Sequence, residues 1–468
     1  MLTIHSQGGS RDCSGVTRRD FLQAGALGLG SLGLPWLLQS RSHAAQSGRS
    51  YVRDKAVVMV FLSGGASHIE TFNPNMDAPA PYHSVTGEVK TSIPGLSFGG
   101  TFPQIAQHAH KAALVRSFTH PIGGHVQAIS HVLTGGTDSS GDAKEGFSMG
   151  SMFARIRGAN SERTGMPTYA LMTGPEVDGQ YRSERGRVQR GSRPGSLGAG
   201  FAPFEPGGKG PVLENMNLSM PAGRLGDRQQ LLGQLDRIRR QSDAAGTMEG
   251  YDKFTQQAVD LLLSGASEAL DLSTEDPRLI ERYDTSNFRV GKKVFRPADI
   301  GTQFLMARRL IEAGCGFVTL HSAGWDMHAD GNNPGIYAGM EMLGRPLDKA
   351  LSAFLEDIES RGMDRDVLVI VTGDFGRTPK INSRGGRDHW ARLGTLALFG
   401  GGLNTGQVIG QADRENGAPA TEPITTSHLF ATVMHTLFDI GQLRLDQSVP
   451  RDLANRIERS QPIQELFG

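Results

Sequence analysis

Cysteine is nearly absent from this chain of 468 residues, which holds only Cys13 and Cys315. One of the two precedes the part expected to fold, so an internal disulfide is excluded and stability must come from the core. An excess of charge of one sign is missing too. Basic and acidic residues each number 48, the formal net charge is zero, and no long run of either sign occurs. That balance excludes a nucleic-acid or other polyanion binder. Long apolar runs are also lacking. Ala24 to Leu38 is the best candidate, and five of its residues are Gly or Pro. A comfortable membrane span needs about 20 apolar residues, so no stable span is expected in the mature chain.

What is present is glycine, at 62 residues, and an apolar content of 38%. Together they indicate a loop-rich globular protein with an ample core. Thr17-Arg18-Arg19-Asp20-Phe21-Leu22 matches the twin-arginine export pattern, and Ser42-His43-Ala44 offers the small residues of a signal-peptidase site. Residues 1–44 are therefore expected to be a signal peptide read by the twin-arginine export machinery. The mature protein is expected to be periplasmic or secreted. Its 44 basic and 46 acidic residues give a net charge of −2, and Cys315 is its only cysteine.

Residues 45–468 read as a single domain. Lys55 to Leu62 is a continuous apolar run, broken by Ser63-Gly64-Gly65-Ala66-Ser67-His68. A strand entering a Gly-Gly turn with hydroxyls beside it is a place for a nucleophile or for oxyanion-binding amides. Ala112 to Ser117 reads as a strand leading to His120, His125 and His131, with a helix from Val126 to Leu133. From about 135 to 215 Gly, Ser and Arg dominate, which predicts a loop insertion. A helical insertion is expected at about 221–285, with amphipathic helices over Arg228 to Arg240 and Tyr251 to Leu270. The second half alternates strands (Phe317 to Leu320, Val367 to Thr372, Thr395 to Phe399) with helices (Ile300 to Ala313, Gly335 to Arg361), and the tail reads as peripheral. The fold class is α/β, with a mainly parallel sheet covered on both faces.

Three strand ends carry chemistry: Asp326 and His328, then Asp374, then Asp388 and His389. In a parallel sheet the carboxyl ends of neighbouring strands gather on one edge, so these groups can converge. Carboxylate oxygens and imidazole nitrogens form a ligand set for a divalent metal such as Zn, Mn, Ca or Mg. Asp-x-His supplies two ligands only where the backbone turns. Arg377 and Arg387, with their planar forks, suit a sulfate or phosphate group.

Four blocks carry a resemblance. They are Ser63 to Pro74, Gly324-Trp325-Asp326-Met327-His328, Gly373 to Pro379, and Gly386-Arg387-Asp388-His389-Trp390. In this order they resemble an exported, sulfatase-like family catalogued as domain of unknown function 1501, related to alkaline phosphatases and sulfatases. The resemblance implies an alkaline-phosphatase-like α/β/α sandwich with metal ligands at the strand ends. By position, Asp326, His328 and His389 resemble the set that holds one metal, and Asp374 resembles the carboxylate of a second. Phe375 stands where that superfamily has a second-metal histidine, and Ser63-Gly64 where it tends to place an Asp. One metal, or a remodelled pair, is therefore expected rather than a full two-metal centre. The implied activity is metal-dependent hydrolysis of a sulfate or phosphate ester, on a small molecule or a polysaccharide. Ser67 is the first nucleophile candidate and Thr71 the second, with His125 as general acid or further ligand. The competing expectation is a non-catalytic metal- or glycan-binding protein that keeps the fold.

Overall fold

The computed structural model describes residues 51–141, 146–174, 178–206 and 266–468. The twin-arginine stretch, the helix expected at Arg228 to Arg240 and most of the one at Tyr251 to Leu270 lie outside the described residues.

Seven strands form the central sheet: β1 (Ala56–Leu62), β2 (Ala112–Val115), β3 (Tyr169–Thr173), β4 (Phe317–Ser322), β5 (Val367–Gly373), β6 (Leu396–Gly400) and β7 (Gln407–Ile409). Their order across the sheet is β7-β2-β6-β5-β1-β4-β3. β1 reads Ala-Val-Val-Met-Val-Phe-Leu, and every residue of it is buried. Such a run needs cover on both faces, and the pleat supplies two. Val58, Val60 and Leu62 join one hydrophobic core, while Val57, Met59 and Phe61 join the other. The first core is closed by α4 (Ile300–Glu312) and α5 (Ile336–Ser360). The second is closed by α1 (His125–Leu133), α2 (Met149–Arg157), α6 (Thr426–Leu437) and α7 (Arg451–Arg459). The result is a three-layer α/β/α sandwich.

β1 pairs in parallel with β5 on one side and β4 on the other. β6 is antiparallel to both β5 and β2. The reason lies in the connection: β5 and β6 are neighbours joined without a crossover helix, so the chain must reverse. The loop between them, 374–395, runs over the carboxyl edge of the sheet before returning.

Two expectations need correction. The 135–215 stretch is not only loop: it holds α2, the edge strand β3 and α3 (Gly179–Gly191). Its Arg-rich composition hides a narrow buried stripe on α3, formed by Tyr181, Glu184 and Val188 at helical spacing. The tail is not peripheral either, since Leu453, Ile457, Ile463 and Leu466 are buried in the second core. Among the described residues no helix is long and apolar enough to cross a membrane.

Candidate metal centre

Every group of the cluster arrives from the carboxyl end of a central strand or from the start of α1. β1 leads through Ser63 into Gly64 and Gly65, whose φ angles of +101° and +82° turn the chain sharply back. A side chain at Gly64 would place its Cβ 2.4 Å from the backbone nitrogen of Asp326, so glycine lets the β1 turn pack against the β4 loop. After β4 come Asp326 and His328. After β5 come Asp374 to Arg377, and Gly376–Arg377 pairs antiparallel with His389–Trp390, which brings His389 back over the sheet edge. His125 is the first residue of α1.

These residues meet at Asp326. Its Oδ1 lies 2.9 Å from His328 Nε2 and 3.4 Å from His389 Nε2, and its Oδ2 lies 3.5 Å from His125 Nε2. The Nε2 atoms of His328 and His389 are 3.0 Å apart. Each ring is held from behind through Nδ1. That of His125 is 2.6 Å from Asp374 Oδ2, that of His328 is 2.9 Å from Asp388 Oδ1, and that of His389 is 3.1 Å from the Gly123 carbonyl. With Nδ1–H donating to these acceptors, each Nε2 faces Asp326, and a ring that is neutral turns a lone pair toward it. Three lone pairs and a carboxylate facing one another repel unless a cation or proton sits among them.

The spacing fits a metal ion. Ligand bonds of about 2.0–2.1 Å in a tetrahedral set put donor atoms about 3.3 Å apart; His328 and His389 lie 2.9 and 3.4 Å from Asp326 Oδ1 and 3.0 Å from each other, and His125 lies 3.5 Å from the other oxygen. His125, Asp326 and His389 offer donor atoms all within 4.8 Å of one another. The charges agree. Burial opposes ionisation of Asp326, but hydrogen bonds from His125, His328 and His389 and the nearby Arg377 drive its carboxyl well below the usual carboxylate range. Burial also works against a charged His125, yet its bonds to Asp326 and Asp374 raise it to about 9. The site favours positive charge at its centre.

The remaining candidates take other places. Asp374 is fully buried, accepts from the Gly64 amide and lies 2.6 Å from His125 Nδ1, behind that ring rather than among the atoms gathered at Asp326. Asp388 is half exposed and stands likewise behind His328. The Phe375 ring lies 5.0 Å from the His125 ring and 4.6 Å from that of His389, packed beside the cluster. Ser67 is not brought to the cluster: its hydroxyl donates to Glu70, which pairs with Arg387. Thr71 donates to the Ser67 carbonyl at 2.8 Å and is fully buried. Arg387 spends its remaining donors on the carbonyls of Thr378, Pro379 and His83. Arg377 grips the Gly64 and Gly65 carbonyls, the Arg387 carbonyl and Asp326. Neither guanidinium has its fork turned to a ligand. Both hold the site's frame.

One group escaped the sequence reading. Ser63 Oγ lies 2.7 Å from Glu184 Oε2 and 2.7 Å from His321 Nε2, all three buried beside the Gly64 turn. Burial, together with repulsion from Asp374 and Asp326, raises the Glu184 carboxyl to about 7 against its bonds from Gly324 and Ser63. Glu184 comes from the Arg-rich α3, and no local pattern announces it.

The sequence model of a family described as "Protein of unknown function (DUF1501)" matches residues 54–451. No curated protein matches the chain. Among solved structures, the lipoteichoic acid synthase LtaP from Listeria monocytogenes is similar at 11% identity, over 82% of this chain and 72% of that one, with a TM-score of 0.36. The PsFucS1 sulfatase from Pseudoalteromonas sp. is similar at 12% identity, over 80% and 68%, with a TM-score of 0.33. The alkaline phosphatase from the Antarctic bacterium TAB5 is similar at 10% identity, over 78% and 95%, with a TM-score of 0.33.

Proposed function

We propose, for a chain that belongs to the DUF1501 family, a metal-dependent hydrolase of sulfate or phosphate esters whose attacking group is water. The observation that supports this reading most is the shared arrangement of His125, His328 and His389, each with Nδ1 anchored and Nε2 turned to Asp326. Asp326 and His389, with His125 and His328, would hold one divalent ion. A bound ion of that kind polarises an ester oxygen and lowers the pKa of a water molecule.

The protein's own groups set the rest. Asp374 and Asp388 keep the proton of His125 and His328 on Nδ1, so both rings present Nε2. Arg377 fixes Asp326 against the Gly64 turn. The Oδ1 of Asn333 is buried without a protein partner, while the amide of that side chain reaches Asp326 at 3.4 Å, so it can accept from a water at the rim. Ser67 and Thr71 are committed to internal bonds, which is why water is the proposed nucleophile.

A second reading, a metal-binding protein without catalysis, is favoured by one observation: Arg377 and Arg387 are both buried on internal partners, leaving neither fork for the anion. The test is hydrolysis of 4-nitrophenyl sulfate and 4-nitrophenyl phosphate by protein loaded in turn with Zn, Mn, Ca and Mg. Turnover of either probe that disappears in Asp326→Ala supports the hydrolase. Stoichiometric metal without turnover of either probe supports the second reading. A polysaccharide ester and export by the twin-arginine route belong to the same proposal. Arg18→Lys with Arg19→Lys should keep the protein in the cytoplasm, and unchanged export of that variant would remove the route.

A further inference from the structure

At the β7–β2 end of the sheet a cavity of about 510 Å³ opens between the end of β2, β7, the 93–96 turn and the 410–416 loop. That volume is within the range of small-molecule sites, about 300–1,000 Å³. No residue of the metal cluster lines it.

Arg116, the residue after β2, stands in its wall, with its backbone amide on the Ile409 carbonyl at 2.9 Å. Of its guanidinium, Nη2 donates to the Phe72 carbonyl at 3.1 Å, while Nε is buried without a partner. No carboxylate among the described residues pairs with it, and burial alone shifts its pKa, downward. The fully buried guanidiniums are treated otherwise. Arg308, Arg377 and Arg387 hold Asp357, Asp326 and Glu70 respectively. Arg456 lies over the Phe430 ring at 4.7 Å. Among the described residues Arg116 has neither an acid nor a ring. One water fits the adjoining cavity of about 10 Å³ and can serve Nε. It cannot balance the charge, which a guanidinium does not give up. A partly buried cation without a counter-ion calls for an anion.

The rest of the wall selects what carries that anion. The exposed Arg414 lines the cavity too and offsets Asp413, whose Oδ1 is held by the amides of Glu415 and Gly417. With Arg116 the wall is therefore net positive. Asn73 gives its amide to Asn416 Oδ1 at 2.9 Å, and Asn75 gives its own to the Arg414 carbonyl at 3.0 Å. Each keeps a side-chain oxygen that accepts. Inorganic sulfate brings no donor for those oxygens, whereas hydroxyl groups do. Pro94, Leu96 and Val408 add apolar surface for the carbon skeleton that bears them. We infer that this cavity binds a hydroxylated organic oxyanion, with its carboxylate, sulfate or phosphate group on Arg116 and its hydroxyls on Asn73 and Asn75.

The inference does not rest on the metal-centre reading, and one experiment separates them. The purified full chain, as wild type and as Asp326→Ala, is titrated calorimetrically with D-glucose 6-sulfate, D-glucose 6-phosphate and D-glucuronate. D-glucose and sodium sulfate are the neutral and inorganic probes. Both proteins should bind at least one sugar anion saturably, and about tenfold more tightly than either D-glucose or sulfate. Arg116→Met should lose that binding. Arg116→Lys keeps the charge without the planar fork and should fall between the two. Arg414→Ala should weaken binding about two- to fivefold, as befits an exposed ion pair. Because Arg116 has no acid to abandon, Arg116→Met should fold as stably as the wild type, and saturating ligand should raise the melting temperature of the wild type alone. The inference is overturned if no sugar anion binds, if D-glucose binds as tightly, or if Arg116→Met keeps wild-type affinity. Sulfate that binds as tightly as the sugar anions overturns it too, leaving an adventitious ion only. So does loss of binding in Asp326→Ala, because the ligand then sits at the metal cluster.

Discussion

Asp326 is surrounded by three imidazoles and a guanidinium, and each imidazole has its own anchor. The distinction between ligand and anchor makes a graded prediction. Asp326→Ala should abolish stoichiometric metal binding. Asp374→Asn keeps every ligand but changes the group that orients His125, and such outer partners are typically worth about 10–100-fold in metal affinity. Competition with a chelator measures both. Equal losses in the two variants would mean that Asp374 is itself a ligand. Ser67 and Arg387 make the complementary case. Truncating Arg387 to Ala leaves Glu70 as a buried unpaired charge, which costs about 3–5 kcal/mol, while Ser67→Ala removes one hydrogen bond worth about 1 kcal/mol. Both should keep wild-type metal content in the folded fraction, and denaturant unfolding reads the difference in stability. Ser67 looked like a nucleophile because it follows a strand-ending Gly-Gly turn. Its hydroxyl goes to Glu70, three residues away, whose other oxygen pairs with Arg387, 317 residues from Glu70 in the chain.

Among the elements, the turn after β1 holds the centre without supplying a ligand. Gly64→Ala adds a methyl 2.4 Å from the Asp326 backbone nitrogen, at a φ of +101° that L side chains rarely adopt. The variant should lose metal although every ligand remains, and elemental analysis of the folded protein checks it. Full metal occupancy would show that the turn yields more easily than its packing implies. The elements most legible in the sequence were those with one dominant signal. The apolar runs of β1, β4 and β5 each announced a buried strand, and the residues after β4 and β5 could be placed on one edge because parallel strands end together. α3 was illegible for the opposite reason: Arg and Gly dominate its composition, and three residues on one face decide its place. The roles of Asp374 and Asp388 were hidden for a third reason. Whether a carboxylate meets a metal or the back of a histidine depends on ring orientation, which spacing along the chain does not encode.

Across the whole molecule, the buried acid near the centre of the fold gives stability a pH dependence. The folded Glu184 carboxyl titrates at about 7, raised by burial from an ordinary value of 4.5. The fold therefore prefers its protonated form. Its contribution is fully present below about 4.5 and is lost as pH rises through about 7, a difference on the order of 3 kcal/mol. Glu184→Gln carries no charge and can keep its bonds to Ser63 and Gly324. Its stability relative to wild type should rise between pH 5 and pH 8, and unfolding curves across that range measure it. A difference that stays flat would place the Glu184 titration below this window.

The central claim is that His125, Asp326, His328 and His389 form one cation site, and metal content tests it most directly. Protein loaded with Zn, Mn, Ca or Mg and then freed of loose ions should carry about one divalent ion per chain, by elemental analysis, and His389→Ala should carry none. A wild-type protein that retains no ion after loading with any of the four would contradict the account, as would a His389→Ala variant that keeps its full complement.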